Sequence, residues 1–207
     1  MKQNGKVNSR YLTQMALLTA IIILMAFTPL GYLRMGPVEI TFIMIPVVVG
    51  AILLGPGAGA MLGGVFGLTS FIQCFGMSVL GATLLQANWF FTLVLCMVPR
   101  ILMGWLSALI FKALYRVDKT RLLSFAAASL SGALLNTVFF VGGIGVLFYD
   151  TALNMAGEGV SVLQFLIGMI TVNSVIEMGV CLVVGTAITK ALYKALGRDK
   201  TANKNLN

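Results

Sequence analysis

The sequence predicts an all-α integral membrane protein with six transmembrane helices and both termini in the cytoplasm. Composition is the first observation behind this. Of 207 residues, 59% are hydrophobic and 10% are charged, whereas a soluble domain is roughly 45–50% apolar and about a quarter charged. The mean hydropathy is +0.99. The second observation is where the charges sit. Basic residues gather at the N-terminus (Lys2, Lys6, Arg10), in one mid-chain connection (Lys112, Arg116, Lys119, Arg121) and at the C-terminus (Lys190, Lys194, Arg198, Lys200, Lys204). Lys and Arg near membrane ends stay on the cytoplasmic side. Three points of the chain are thereby pinned to one side, and the chain crosses an even number of times between each pair.

The elements follow in order, since a helix needs about 20 apolar residues to cross the hydrocarbon core. The first runs over residues 11–28 and stops at Pro29-Leu30-Gly31. Residues 32–39, with Arg34, Gly36, Pro37 and Glu39, read as a structured outer loop. A second helix, short for a span, covers 40–54, and a third covers 58–75 after the tight uncharged turn Gly55-Pro56-Gly57. Residues 76–87 form a second outer connection. The fourth helix runs over 88–114 and the fifth over 122–148. Residues 150–161 are a third outer loop, and the sixth helix covers 162–196. Four spans precede the basic connection and two follow it, so the parity closes. Gly55, Gly59, Gly63 and Gly67 give the third helix a smooth ridge at four-residue spacing. Such ridges let helices approach closely in lipid, here within the bundle. Ala16 and Ala20 repeat the spacing on the first helix, and taken alone they also suggest internal packing.

The whole of 1–207 is expected to be one membrane domain, with polar cytoplasmic tails at 1–10 and 198–207. It has no room for a separate soluble catalytic domain. The first apolar segment has no small-residue cleavage site of the signal-peptide kind. The net charge of +8 does not point to nucleic acid, because the basic residues flank apolar spans and form no stripe with exposed aromatics. They suit an anionic inner leaflet of the bilayer. Cys74, Cys96 and Cys181 lie far apart in sequence inside apolar runs, without metal or redox spacing. They are expected to be small packing residues.

The chain has no histidine, which removes Ser-His and Cys-His nucleophilic systems and His-based zinc or haem ligation. It has no Walker A sequence and no useful carboxylate pair. Neither an enzyme nor a bound cofactor or metal is expected, which leaves binding or permeation. Polar residues inside the spans then matter most, since a charge at the bilayer centre costs about 2.5–3.5 kcal/mol on insertion scales and must face protein, water or ligand. Arg100 lies mid-way along the fourth helix, Asn136 along the fifth and Glu177 along the sixth, with Asn173 one turn outward from Glu177. The opposed directions of the fourth and sixth helices put Arg100 and Glu177 at similar depths. One possibility is a buried Arg100–Glu177 ion pair joining two helices. The other is a polar floor of Arg100, Asn136, Asn173 and Glu177 beneath an outward-facing cavity. Pro99 removes one helix hydrogen bond, which frees a backbone carbonyl for a ligand or a neighbouring side chain. A kink that serves packing is the alternative. Asn88 and Trp89 begin the fourth helix at the outer interface, where Trp serves as an anchor.

Several local patterns resemble one family: Ala16-Leu17-Leu18-Thr19-Ala20; Gly50-Ala51-Ile52-Leu53-Leu54-Gly55-Pro56; Phe66-Gly67-Leu68-Thr69-Ser70; Val98-Pro99-Arg100-Ile101-Leu102-Met103-Gly104; and Gly132-Ala133-Leu134-Leu135-Asn136-Thr137. In this order, over nearly the whole chain, they resemble the substrate-binding S components of energy-coupling factor (ECF) vitamin transporters. The resemblance implies a bacterial plasma-membrane protein that captures a vitamin from outside. It also implies docking on a T component that carries two ABC-type ATPases, and no ATPase of its own. Small residues at four-residue spacing on the first helix form the family's docking face. They map to Ala16 and Ala20, although the next position in the series is Leu24. The patterns look most like the pantothenate branch, and Asn88, Arg100, Asn136, Asn173 and Glu177 become the candidate binding residues. Riboflavin favours a more aromatic pocket than the outer halves of the last three helices offer. Hydroxymethylpyrimidine and pyridoxine stay open, as do an independent small permease and a scaffold that binds no ligand.

Overall fold

The computed structural model describes residues 9–35, 38–118, 122–157 and 159–196, without the side chains of 33–35, 38–40 and 169–173. The expected tails, apart from Ser9 and Arg10, lie outside the described residues, as do Lys119, Arg121 and Glu158.

Helix α1 spans Ser9–Ala26. The structured loop expected at 32–39 is an antiparallel hairpin of β1, Tyr32–Met35, and β2, Val38–Thr41, whose register sets Arg34 opposite Glu39. Helices α2 (Met44–Leu54) and α3 (Pro56–Gln73) follow, joined at Gly55. Gly55 has φ +98°, a conformation that L side chains rarely adopt, and Pro56 opens α3 where a missing N–H costs nothing. Gly55 is therefore the turn between two helices and not part of the packing ridge. The outer connection 76–87 contains helix α4, Val79–Ala87, whose start is capped by Ser78 Oγ accepting from Gly81 N at 3.2 Å. Helices α5 (Trp89–Leu114) and α6 (Leu122–Leu147) are the two longest. The third outer loop carries α7, Tyr149–Ala156. Helix α8, Val162–Val180, begins at a capping box made by Ser161 and Gln164. It passes through a π-helical segment, Cys181–Gly185, into α9, Thr186–Ala195.

Four described helical stretches are long and apolar enough to cross a membrane: Ser9–Ala26, Trp89–Leu114, Leu122–Leu147 and Ser174–Ala195. Their outer faces carry large apolar side chains such as Leu17, Val146 and Val183. A water-soluble monomer does not leave contiguous apolar area of that extent uncovered. Helix α2 has only 11 residues and is buried along almost its entire length.

The glycine ridge of α3 packs on α5. A Cβ added at Gly59 would lie 2.9 Å from the carbonyl carbon of Gly104. One at Gly63 would lie 2.8 Å from that of Arg100, and one at Gly67 would lie 2.7 Å from Cys96 O. The steps run 59, 63, 67 on one helix and 104, 100, 96 on the other, as two antiparallel helices in matched register require. The ridge thus grips the backbone of α5 at Arg100 itself. Among the described residues, the buried apolar side chains form two clusters. One is built around Ile43, Met44, Leu62, Phe66, Met103 and Phe125. The other is built around Leu84, Leu95, Ile144 and Phe148. Between them lies a cavity.

Candidate functional site

The cavity has a volume of about 480 Å³, and Arg100, Asn136 and Glu177 all line it. Three residues from three helices, singled out only for being polar in mid-span, therefore meet at one place. Asn173 lies on α8 one turn before Glu177, but its side chain is outside the described residues. Asn88 is not among the cavity-lining residues. It is exposed, and its Oδ1 accepts from Phe90 N at 3.0 Å and Phe91 N at 3.1 Å, capping α5.

Arg100 is 7% exposed. Pro99 has no N–H to give to the carbonyl four residues earlier, which is that of Leu95. Arg100 Nη1 takes that place, donating to Leu95 O at 2.8 Å. The proline and the arginine are one device: the first frees an acceptor in the low-dielectric interior, and the second satisfies it. The guanidinium also stacks, with its central carbon 4.5 Å from the ring centre of Phe140 and 5.5 Å from that of Phe66. These contacts hold its plane. The opposite edge is less occupied. Nη2 reaches Ser70 Oγ only at 3.5 Å, at the limit of a hydrogen bond, and Nε is buried with no hydrogen-bond partner among the described residues. Nε and Nη2 form the side-on fork that matches a carboxylate.

Glu177 makes no ion pair with Arg100 among the described residues, so the helix-joining strut that the two mid-span charges allowed is absent. Its Oε1 accepts from Thr41 N at 2.7 Å instead. The acid of α8 thereby ties down the end of the hairpin. Asn136 is 6% exposed, and its Oδ1 has no partner among the described residues. Thr137 Oγ1 donates to Ser174 Oγ at 3.2 Å, joining α6 to α8. Gln73 Nε2 donates to Ala26 O, joining α3 to the end of α1.

Sequence reasoning missed Ser70, Gln73, Thr41, Phe140 and Ser174, all of which line the cavity. Phe140 had a readable signal, because it lies one turn from Asn136 and shares its helix face. Thr41 had none, since its role depends on a backbone N–H that meets a residue 136 positions away. Helices α4 and α7 contribute Leu84 and Met155 to the wall, from stretches expected to be loops. Ala16 and Ala20 are exposed on α1, away from the cavity, and do not pack inside the bundle.

A bundle of apolar helices around a largely apolar cavity with a buried arginine in its wall suits a membrane protein that binds a small molecule. Comparison with known proteins gives the class. Residues 10–189 match the family model described as ECF transporter, substrate-specific component. The chain belongs to this family of transport proteins, which are not enzymes, and is a multi-pass membrane protein. Among its relatives is the pantothenic acid transporter PanT of Lactococcus lactis subsp. cremoris. It is 30% identical over 171 residues, covering 77% of this chain and 80% of the relative. The pantothenate transporter PanT of Leuconostoc mesenteroides subsp. mesenteroides is 30% identical over 192 residues, covering 89% and 92%.

Proposed function

We propose that this chain captures pantothenate from outside the cell as the S component of an ECF importer, and hands it on through a T component and two ABC-type ATPases in the bacterial plasma membrane. The observation that carries this reading is the Nε–Nη2 edge of Arg100, buried at a cavity of about 480 Å³, where Nε has no partner among the described residues and Nη2 has only the 3.5 Å contact with Ser70. That volume is ordinary for a small-molecule site. Pantothenate has one carboxylate, an amide and hydroxyls. Its carboxylate takes the Arg100 fork. Asn136 Oδ1, which lacks a partner among the described residues, accepts from the amide N–H or a hydroxyl. The hydroxyl end lies toward Glu177, since two carboxylates repel. Asn173, one turn before Glu177 on α8, is a further candidate contact, while Asn88 caps α5. The pantothenate relatives, matched over most of their length, support the same substrate.

The topology is six spans with both termini cytoplasmic, in one membrane domain over 1–207 with tails at 1–10 and 198–207. Helices α2 and α3 supply the second and third spans. Helix α2 is short for a span, about 16 Å at 1.5 Å per residue, but its burial among other helices spares it from meeting lipid along its length. Ala16 and Ala20 offer a small-residue face on α1 for the T component. Cysteines introduced as Lys119→Cys and Glu158→Cys test the topology: they label from opposite sides of the membrane, and labelling of both from one side refutes the six-span order.

Mass spectrometry of small molecules released from the purified chain tests the substrate, with pantothenate expected. Riboflavin, hydroxymethylpyrimidine or pyridoxine in its place would reassign the site. Release of no ligand would favour a scaffold, and transport without an ATPase partner would favour a permease.

A further inference from the structure

Two of the three cysteines, remote in sequence, are neighbours in space. Cys74 closes the C-terminal end of α3 and Cys96 lies on α5, and their Sγ atoms are 3.9 Å apart. Both side chains line the cavity, at 5% and 3% exposed. Gly67 explains why they meet: with no side chain of its own, it lets α3 rest on the backbone of α5 at Cys96. Cys181 lies elsewhere, buried at the start of the π-helical segment.

We propose that Cys74 and Cys96 are a dithiol modification site in the cavity wall, which a small-molecule disulfide converts into an internal disulfide that weakens ligand capture. The effect on capture rests on the pantothenate reading above; bond formation does not. The chemistry balances as two exchanges. One cysteine thiolate attacks the reagent, expelling one thiolate and leaving a mixed disulfide. The second cysteine thiolate attacks the protein sulfur of that mixed disulfide and expels the second. The two cysteines lose two protons and two electrons, and the reagent is reduced to two thiols. Their sulfurs must close from 3.9 Å to about 2.05 Å. Cys74 sits at the very end of α3, where the helix gives way to the turn at Gly76, so closure falls on a helix terminus and not on a helix interior. The cost falls on the site. Cys74 Sγ donates to Ser70 O at 3.3 Å, Ser70 Oγ accepts from Arg100, and Cys96 is one turn from Arg100 on the same helix. Drawing the sulfurs together shifts Ser70 and the turn of α5 that carries Arg100, and with them the edge of the guanidinium that faces the ligand.

The full reduced chain in lipid nanodiscs is treated with dithiodipyridine, alkylated with N-ethylmaleimide, digested and analysed by mass spectrometry, with pantothenate binding measured in parallel. The expected result is a peptide pair linked through Cys74 and Cys96, and a loss of affinity of about tenfold or more, near 1.4 kcal/mol, that dithiothreitol reverses. In the Cys74→Ser, Cys96→Ser double variant, affinity does not change on treatment, whatever its starting value. Recovery of Cys74 and Cys96 as separate adducts overturns the site. A linked pair with unchanged affinity overturns the coupling to capture. Failure of the untreated reduced chain to bind pantothenate would refute the vitamin assignment and leave the linked peptide to decide the dithiol site.

Discussion

Replacing Arg100 by alanine separates a ligand contact from a structural strut. In the folded chain Nη1 is committed to Leu95 O at 2.8 Å, so the Nε–Nη2 edge is what a carboxylate can use. Arg100 is 7% exposed, so the contact is made away from bulk water. A charge-assisted hydrogen bond of this kind contributes about 1.5–3 kcal/mol, which is roughly a 10- to 150-fold loss of affinity for pantothenate. The analogue whose carboxylate is reduced to an alcohol has no charge for the fork to meet, and its affinity falls far less. Titration calorimetry of the purified variant with both ligands measures the difference. Equal losses for acid and alcohol, or an unchanged affinity for the acid, would refute the assignment. Stability is a second readout. Arg100→Ala leaves Leu95 O without its donor, at about 1–3 kcal/mol, and removes the stacking on Phe140. Because Glu177 is held by Thr41 N and not by Arg100, adding Glu177→Gln does not restore the melting temperature. Full restoration would show that the two charges act as a pair after all.

Other changes probe the supports of the site. Glu177→Ala strands the buried Thr41 N–H and costs about 1–3 kcal/mol in stability, whereas Glu177→Gln keeps an acceptor oxygen and loses less; thermal melting of both variants ranks them. Gly63→Ala drives a methyl into the Arg100 backbone and destabilises by about 1–3 kcal/mol or more, with weaker pantothenate binding. Gly57→Ala, which meets open space, is neutral or gains up to about 1 kcal/mol, and a melt in which both behave alike counts against the ridge. Ala16→Arg and Ala20→Arg keep ligand binding in the isolated chain and abolish uptake in cells, because a large charged side chain blocks close approach of another membrane protein. Lost binding would place these residues in the bundle core.

Much of the molecule is written locally. The bands of Lys and Arg mark the ends of apolar runs, and each long run became a helix because a backbone in hydrocarbon must satisfy its own hydrogen bonds. Arg100, Asn136 and Glu177 declared themselves by cost: polar groups in mid-span must turn inward, and inward directions from several helices converge. Pro99 announced a freed carbonyl one turn away, and Arg100 occupies it. The four-residue glycine spacing announced a close helix contact. What stayed hidden was which groups face each other across helices. Periodicity sets depth and face but not the partner. The partner is set by the way α3 seats on α5, and that seating decides that Ser70 reaches Arg100 and that Cys74 meets Cys96. The short helices α4 and α7 were not read, since runs of eight or nine residues between spans look like connections and are held by the walls they pack against. The sequence determined where the long apolar helices run and that a charge lies in the middle of one of them. The contacts between distant residues, from Glu177 on Thr41 N to the paired thiols, were decided only by packing, because they join positions whose separation along the chain carries no local signal.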